Sequence, residues 1–313
     1  MVTPFRKERL LMNHDSKDNV KVQQSLQRIV RPNDKLSHHA MTLSAEEFSS
    51  AVEDGAECRA VDAVTKGKKY YTRYWLEHVG EDCNLERLTE FDKDVLTACI
   101  SFFAGGFDTV SVAMILRLIT GSENRHASPE QRAAILASVD KMMCTQIRVD
   151  MSATCKKYRD RVSKAEIVSP ILPCKRASIR INGQQADVIR FLDESPLITV
   201  ARAKRQVLTF DVEALKVPGL NNTPRVVTIK FYVVERVHEI IAHKMTPTIT
   251  YDDVFNHCGL SDASKRQRQE ARKVIRAVIE HMKRTNTISE WHECKKGDKY
   301  HGIKFVYDSH ATN

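Results

Sequence analysis

The 313-residue chain lacks the features that mark membrane and secreted proteins. It has no run of about 18 apolar residues, the minimum for a membrane span, and the segment Met1–Lys7 lacks the apolar core of a signal peptide. Its eight cysteines are scattered singly, without a Cys-x-x-Cys pair, which favours reduced thiols. The sequence therefore predicts a cytoplasmic protein with no membrane partner.

Motifs for catalysis and cofactors are also missing. Lys66-Gly67-Lys68 has no upstream glycine at the spacing of a phosphate-binding loop. His38 and His39 are adjacent, whereas the metal site of a DNA-nicking enzyme needs a His-x-His pair. Asp252-Asp253 points to two faces of a helix and favours a helix-start charge pair. We expect neither enzymatic activity nor a cofactor.

One cluster of metal-binding residue types needs separate treatment. His257-Cys258, His281 and His292-x-Cys294 could converge in a folded C-terminal domain. The spacing differs from the paired spacing of zinc sites, and lone cysteines often pack as small apolar residues. We therefore predict no metal site.

Positive charge is in excess. The chain has 49 lysines and arginines against 40 acidic residues, a net charge of +9, and a pI near 9.1. Such a balance favours an anionic partner, most commonly nucleic acid. The length suits two domains. The position of the charge along the chain decides how specific this signal is.

The first informative block predicts three short helices. Apolar residues at helical spacing mark 91–103, which Gly105-Gly106 ends. An extended link at 109–111 ends in a serine that caps a helix at 112–119. Ser128-Pro129-Glu130-Gln131 opens the third helix with a capping box and a proline at the first helical position. With the strand-like 145–150, this is the order of a winged helix.

Two hairpins are predicted around the block. Residues 58–78 alternate on both sides of Lys66-Gly67-Lys68. In the strand-rich region 167–217, Asn182-Gly183 stands between alternating residues, the strongest short hairpin signal. We interpret this second hairpin as the enlarged wing of the first domain.

The order then repeats. A long helix at 227–243 precedes a β-rich link at 248–250, a short helix at 251–258 and a helix that begins near Ser261 or Ser264 and runs to about 284. Two strand-like segments follow, at 288–293 and 300–307. The predicted fold class is α+β, with two winged-helix (helix-turn-helix) domains joined by a strand-rich middle segment.

The predicted organisation has four parts. Residues 1–35 form a mobile polar arm, and 36–217 form the N-terminal winged-helix domain with hairpin additions. Residues 218–224, rich in turn formers, are the linker. Residues 225–313 form a basic, DNA-binding winged helix.

The basic residues concentrate in one predicted helix. Ser261–Arg284 has eight basic and three acidic residues, a net charge of +5, whereas Ser128–Cys144 is neutral. Arginine can bridge guanine O6 and N7, glutamine can bridge adenine, and lysine neutralises phosphates. A solvated basic face is the alternative, but the charge coincides with the recognition position of the motif. The predicted DNA-binding residues are Ser264, Lys265, Arg266, Arg268, Gln269, Arg272, Lys273 and Arg276 of the helix, and Lys295, Lys296 and Lys299 of the hairpin.

Two resemblances extend this interpretation. The run from Leu88 to Gly121, continued by Ser128–Arg132, resembles little-characterised proteins of plasmids and integrative elements in Gram-positive bacteria. The order over 85–307 is similar to plasmid replication initiators with tandem winged-helix domains. The resemblance implies that Lys265, Arg266, Arg268 and Arg272 read repeated origin sequences. It further implies that the N-terminal domain supports dimerisation and backbone contact, and that host replication proteins are partners.

The predicted function is sequence-specific binding of double-stranded DNA, with replication initiation at a plasmid or mobile-element origin. The alternative is a transcriptional repressor of a mobile element that binds an operator. A protein-interaction module would leave the basic helix unexplained. The neutral helix of the first block leaves DNA contact by that domain open.

Overall fold

The computed structural model describes residues 26–43, 47–48, 57–65, 68–78, 87–122, 127–152, 165–181, 184–297 and 299–307. The helices in this part of the chain are α1 (Lys35–Thr42), α2 (Glu90–Ala104), α3 (Val112–Thr120), α4 (Pro129–Cys144), α5 (Pro196–Ala203), α6 (Pro224–His243), α7 (Tyr251–His257) and α8 (Lys265–Arg284). The strands are β1 (Arg28–Pro32), β2 (Cys58–Thr65), β3 (Lys68–His78), β4 (Thr109–Ser111), β5 (Thr145–Asp150), β6 (Glu166–Pro170), β7 (Cys174–Ile181), β8 (Gln184–Phe191), β9 (Val207–Asp211), β10 (Thr248–Thr250), β11 (Glu290–Lys296) and β12 (Lys299–Val306). The predicted α+β class is confirmed.

The C-terminal half has the connectivity of a winged helix. The chain runs α6, β10, α7, α8 and then the hairpin β11–β12. The antiparallel sheet has the order β10-β12-β11, so β10 pairs with the last strand. A Cβ on Gly302 of β12 would lie 2.4 Å from the carbonyl oxygen of Ile249. Only glycine therefore lets β10 approach β12 this closely.

The N-terminal half repeats this connectivity with an insertion. Its elements run α2, β4, α3, α4 and then the hairpin β7–β8, and the sheet order is β4-β8-β7. The predicted wing therefore forms a hairpin, with Asn182-Gly183 outside the described residues. Between α4 and β7 the chain makes β5 and β6, which join β2 and β3 in the sheet β2-β3-β5-β6. The strand at 145–150 thus belongs to the inserted sheet and lies outside the winged-helix sheet.

The predicted mobile arm is wrong over its described end. β1 pairs antiparallel with β9, and Ile29 and Arg31 are buried. The guanidinium of Arg31 binds Asp94 Oδ1 at 3.2 Å and Glu235 Oε2 at 2.9 Å. These carboxylates lie far away in the sequence, so local composition does not reveal the partners that let the strand become buried. Residues 1–25 lie outside the described part of the chain.

Helix α6 contacts both halves. It packs against α8 and α7 on one side and against α2 on the other. Lys230 Nζ, fully buried, donates to the carbonyl oxygen of Thr120 at the end of α3, over 2.8 Å. In α8, His281 Nε2 lies 2.9 Å from the carbonyl oxygen of Glu213, in the 3-10 helix Val212–Leu215. The helix that follows the predicted linker is thus shared, and the domain boundaries stay a prediction.

The cysteines differ in part from the expectation of reduced thiols. Cys58, Cys99, Cys174, Cys258 and Cys294 form no disulfide, but Cys144 at the end of α4 is disulfide-bonded. Among the described residues, no group of three or more His, Cys, Asp or Glu side chains could hold a metal ion. No helix within the described ranges combines the length and apolar character needed to cross a bilayer.

Candidate nucleic-acid interface

The start of α8 is fixed by a capping box. The backbone N–H of Gln267 donates to Ser264 Oγ at 3.3 Å, and the N–H of Ser264 donates to Gln267 Oε1 at 2.9 Å. This arrangement satisfies two backbone donors and sets where the helix begins. The hydroxyl of Ser264, a predicted DNA contact, is therefore engaged in the cap.

A buried stripe determines which face of α8 meets solvent. Ala271, Val274, Ile275, Val278 and Met282 are all buried, as the helical spacing predicts. On the opposite side, the side chains of Lys265, Arg266, Gln269 and Lys273 are exposed. Packing of the stripe thus presents four of the predicted contacts to solvent, three of them cationic.

Three other arginines lie on the flank of α8 that faces α7. Arg268, Arg272 and Arg276 follow at four-residue spacing and are half-buried. The Cζ of Arg268 lies 5.7 Å from the ring centroid of Phe255, and Arg268 also donates to the carbonyl oxygen of Ser261. The Cζ of Arg272 lies 4.9 Å from the ring centroid of Tyr251. These are cation–π distances. Arg268 thus has both an aromatic contact and an intramolecular hydrogen-bond acceptor.

A carboxylate in the wing joins this flank. Glu293 of β11 accepts a hydrogen bond from the hydroxyl of Tyr251. Its other oxygen lies 3.4 Å from Arg276 Nη1. Burial raises the pKa of Tyr251 above its ordinary value, and the neighbouring Glu293 raises it further. The hydroxyl therefore stays protonated and donates at physiological pH.

Tyr251, Phe255 and Glu293 belong to this surface without any signal in the sequence that marks them as part of it. Tyr251 and Phe255 stand four residues apart in α7, which places them on one face of the helix. That spacing indicates packing and does not reveal a cationic partner. The contact with Glu293 joins residues 42 positions apart and leaves no local signal.

The hairpin β11–β12 contributes further lysines. Its register shifts between Cys294 and Lys295, and Lys296 pairs with Lys299 beside the turn. Lys295 is exposed, with Nζ 4.9 Å from the ring centroid of Tyr300. Tyr300 is itself 45% exposed. Lys295 thus places a cation next to a solvent-exposed aromatic ring.

The equivalent helix of the N-terminal half, α4, has a different surface. Arg132 forms an ion pair with Asp187 of β8, and Arg176 of β7 forms one with Asp140. Lys141 Nζ lies 3.5 Å from Asp92 Oδ2. Both cations of α4, and Arg176 beside it, are therefore paired within their own half. By contrast, Lys265 and Arg266 of α8 have no hydrogen-bond or ion-pair partner among the described residues.

Comparison with known proteins gives distant structural neighbours. No family model and no curated protein matches the sequence. A crystal structure of RctB domains 2-3 aligns with a TM-score of 0.40 and 11% identity, over 81% of this chain and 92% of that one. A structure of selenomethionine derivatives of the same two domains aligns with a TM-score of 0.38 and 10% identity, over 83% and 98%.

Proposed function

We propose that the chain is a non-catalytic, sequence-specific double-stranded DNA-binding protein that inserts α8 into the major groove. The observation that carries the proposal is the contrast between two equivalent helices. The cations of α4 are paired internally, whereas α8 exposes Lys265 and Arg266 without an ion-pair partner among the described residues. Lys273 is also exposed on this face, and its pair with Glu270 lies in solvent. A recognition helix in a winged helix meets DNA with this outer face.

Electrostatics support the same assignment. Ser261–Arg284 carries +5 of the net +9 of the chain. The N-terminal end of α8 adds the positive end of its helix dipole, which favours phosphate. Within that first turn and a half, Lys265 and Arg266 neutralise phosphates, and Gln269 can bridge adenine N6 and N7. Lys295, Lys296 and Lys299 at the wing tip add backbone or adjacent-groove contacts.

For the biological role, we propose initiation of replication at the origin of a plasmid or mobile element, with host replication proteins recruited to the bound origin. The chain has two winged-helix connectivities, and among the described residues only the second has a helix with exposed, unpaired cations. This difference between the halves suits asymmetric sites in direct repeats. A repressor of a mobile element is the second candidate. It would bind palindromes as a homodimer through the N-terminal domain.

The first test is the salt dependence of duplex binding. Affinity for duplex DNA should fall by orders of magnitude between about 50 and 200 mM salt, because phosphate contacts release counterions. The triple variant K265A/R266A/K273A should bind more weakly, with a log–log salt slope reduced by up to about 3. R132A is the matched control, since it removes a cation that is already paired on α4.

The outcomes separate the candidates. A flat salt response, or an equal loss in R132A and the triple variant, would contradict binding through α8. A DNA circle that carries the gene and its flanking sequence, and has no other origin, should persist with the wild type and be lost with the triple variant. Repression through a palindromic site, without maintenance of the circle, would favour the repressor.

A further inference from the structure

The arginines on the flank of α8 that faces α7 lie over two aromatic rings of α7, which we call the aromatic floor. Tyr251 and Phe255 are buried, and their rings stack with centroids 6.2 Å apart and planes inclined by 15°. Arg268 lies over Phe255, and Arg272 lies over both rings, with Cζ 4.9 Å and 5.9 Å from the centroids of Tyr251 and Phe255. A planar guanidinium held on an aromatic surface loses conformational freedom before it meets a ligand.

The three arginines on this floor differ in their hydrogen bonds. Arg268 donates to Ser261, and Arg276 is paired with Glu293. Arg272, between them, has no hydrogen-bond acceptor among the described residues, and its Nε is buried without one. Guanidinium carries five donors, and a buried donor without an acceptor costs free energy. Nε of Arg268 is buried without an acceptor as well, so the difference lies in the rest of the guanidinium. Arg272 is thus a positioned cation whose guanidinium, unlike those of Arg268 and Arg276, has no acceptor among the described residues.

Glu293 connects the helices on which Arg272 rests. Its carboxylate accepts from the Tyr251 hydroxyl in α7 and pairs with Arg276 in α8, while its backbone belongs to β11. It therefore ties three elements of the winged helix together at the floor on which Arg272 lies. A carboxylate beside a phosphate-binding surface weakens general attraction to DNA. A positioning role explains its presence there.

We infer that Arg272 is the specificity-determining residue of the chain, and that Glu293 is its positioning residue. The ligand that fits a preset, unpaired guanidinium on a recognition helix is the O6/N7 edge of guanine, which arginine binds in a bidentate manner. This inference rests on the proposed DNA-binding function. It also differs from the expectation that Arg268 reads a base, because Arg268 already has an intramolecular acceptor.

The test uses the full chain and two duplex probes. Wild-type protein first selects its preferred site from a random duplex pool, and each variant is then measured on that site and on random duplex. R272K should lower the ratio of specific to nonspecific affinity by roughly 5- to 150-fold, the value of one bidentate base contact. Its selected sites should lose preference at one guanine position.

E293Q separates positioning from charge. Removal of one negative charge should raise affinity for random duplex and steepen the salt slope by about 1, while the specificity ratio falls by several fold. E290Q makes the same charge change at an exposed residue of the same strand and should raise nonspecific affinity without lowering the ratio. Thermal unfolding of each variant checks that the fold is kept.

Each outcome has one meaning. An unchanged ratio in R272K, or identical behaviour of E293Q and E290Q, overturns the inference while leaving α8 as a DNA-binding helix. Uniform loss of both affinities in E293Q together with a lower melting temperature assigns Glu293 a merely structural role and also overturns it. If the wild type selects no sequence, the proposed function itself fails.

Discussion

His238 of α6 shows how burial of one side chain makes stability depend on pH. Its ring stacks on Phe210, with centroids 5.3 Å apart and planes inclined by 13°. Burial lowers the pKa of His238 from 6.5 to about 4. Its Nε2 is buried without a hydrogen-bond partner, and the charge of Asp211, which favours the protonated ring, does not offset burial.

The sign of the effect follows from proton binding. Between pH 6.5 and about 4 the unfolded chain binds a proton at His238 and the folded chain does not, so the free energy of unfolding falls as the pH falls. His238 alone should contribute a loss of about 3 kcal/mol across this window. His238→Gln should remove that share of the slope, measured by urea unfolding at several pH values. Parallel curves for wild type and variant would contradict the assignment.

At the same scale, the sequence predicted residue types better than residue roles. Lys265, Arg266, Gln269 and Lys273 were predicted as DNA contacts, and all four are exposed on α8. Arg268 shares their composition but is held by Ser261 and Phe255. Spacing fixes the direction of a side chain, whereas its partners come from other elements and have no local pattern.

At the scale of elements, α3 ends at a glycine that two constraints require. Gly121 has φ of 66°, a conformation that costs residues with a Cβ about 1–2 kcal/mol. A Cβ there would also lie 2.3 Å from the carbonyl oxygen of Leu215. Gly259, which follows α7, has φ of 63° but no atom within 4 Å of such a Cβ.

These two glycines make a matched pair. Gly121→Ala should destabilise the chain more than Gly259→Ala, because only the first adds a steric clash with backbone. We expect about 1 kcal/mol for Gly259→Ala and a clearly larger loss for Gly121→Ala in chemical denaturation. Equal losses would mean that the contact between α3 and the 3-10 helix relaxes without cost.

Elements with local signals were predicted well. The capping residues Ser111 and Ser128 placed the starts of α3 and α4 correctly, because a cap and the apolar spacing after it are local. Of the two candidate starts of α8, near Ser261 or Ser264, the structure has Ser264 as the cap. β1, α1 and α5 were missed. They are five to eight residues long, and β1 is stabilised by strand pairing and ion pairs with distant segments.

At the scale of the whole molecule, the two halves should unfold together. α6 packs on both, and Lys230 donates from α6 to the carbonyl oxygen of Thr120 at the end of α3. Arg31 of β1 pairs with Glu235 of α6 at 2.9 Å. The repeat of helices and strands predicted two winged helices, but these cross-contacts join residues 110 or more positions apart and have no sequence pattern.

The two tryptophans of the chain report on the two halves. Trp75 lies in β3 and Trp291 in β11. The single-tryptophan variants W75F and W291F should give the same unfolding midpoint by fluorescence. Lys230→Ala should reduce the free energy of unfolding by about 2 kcal/mol, because a hydrogen bond from a charged donor is lost. Both midpoints should fall equally.

Arg225 provides the control for Lys230. Arg225→Ala removes an exposed cation from the first turn of the same helix and should change stability by less than about 0.5 kcal/mol. Separate midpoints for the two tryptophans, or a shift confined to one of them, would mean that the halves are independent domains.

The shared helix α6 also limits how this chain could be retargeted by engineering. A graft that exchanged the whole C-terminal winged helix would replace the side of α6 that contacts α2 and the His281 contact with Glu213. In such a chimera these contacts would not match, even if both parent proteins were stable. Changes at the solvent-facing positions 265, 266, 269 and 273 of α8 leave these contacts unchanged. For the proposed function, new DNA preferences should therefore be sought by varying Arg272 together with these four side chains on an otherwise unchanged scaffold.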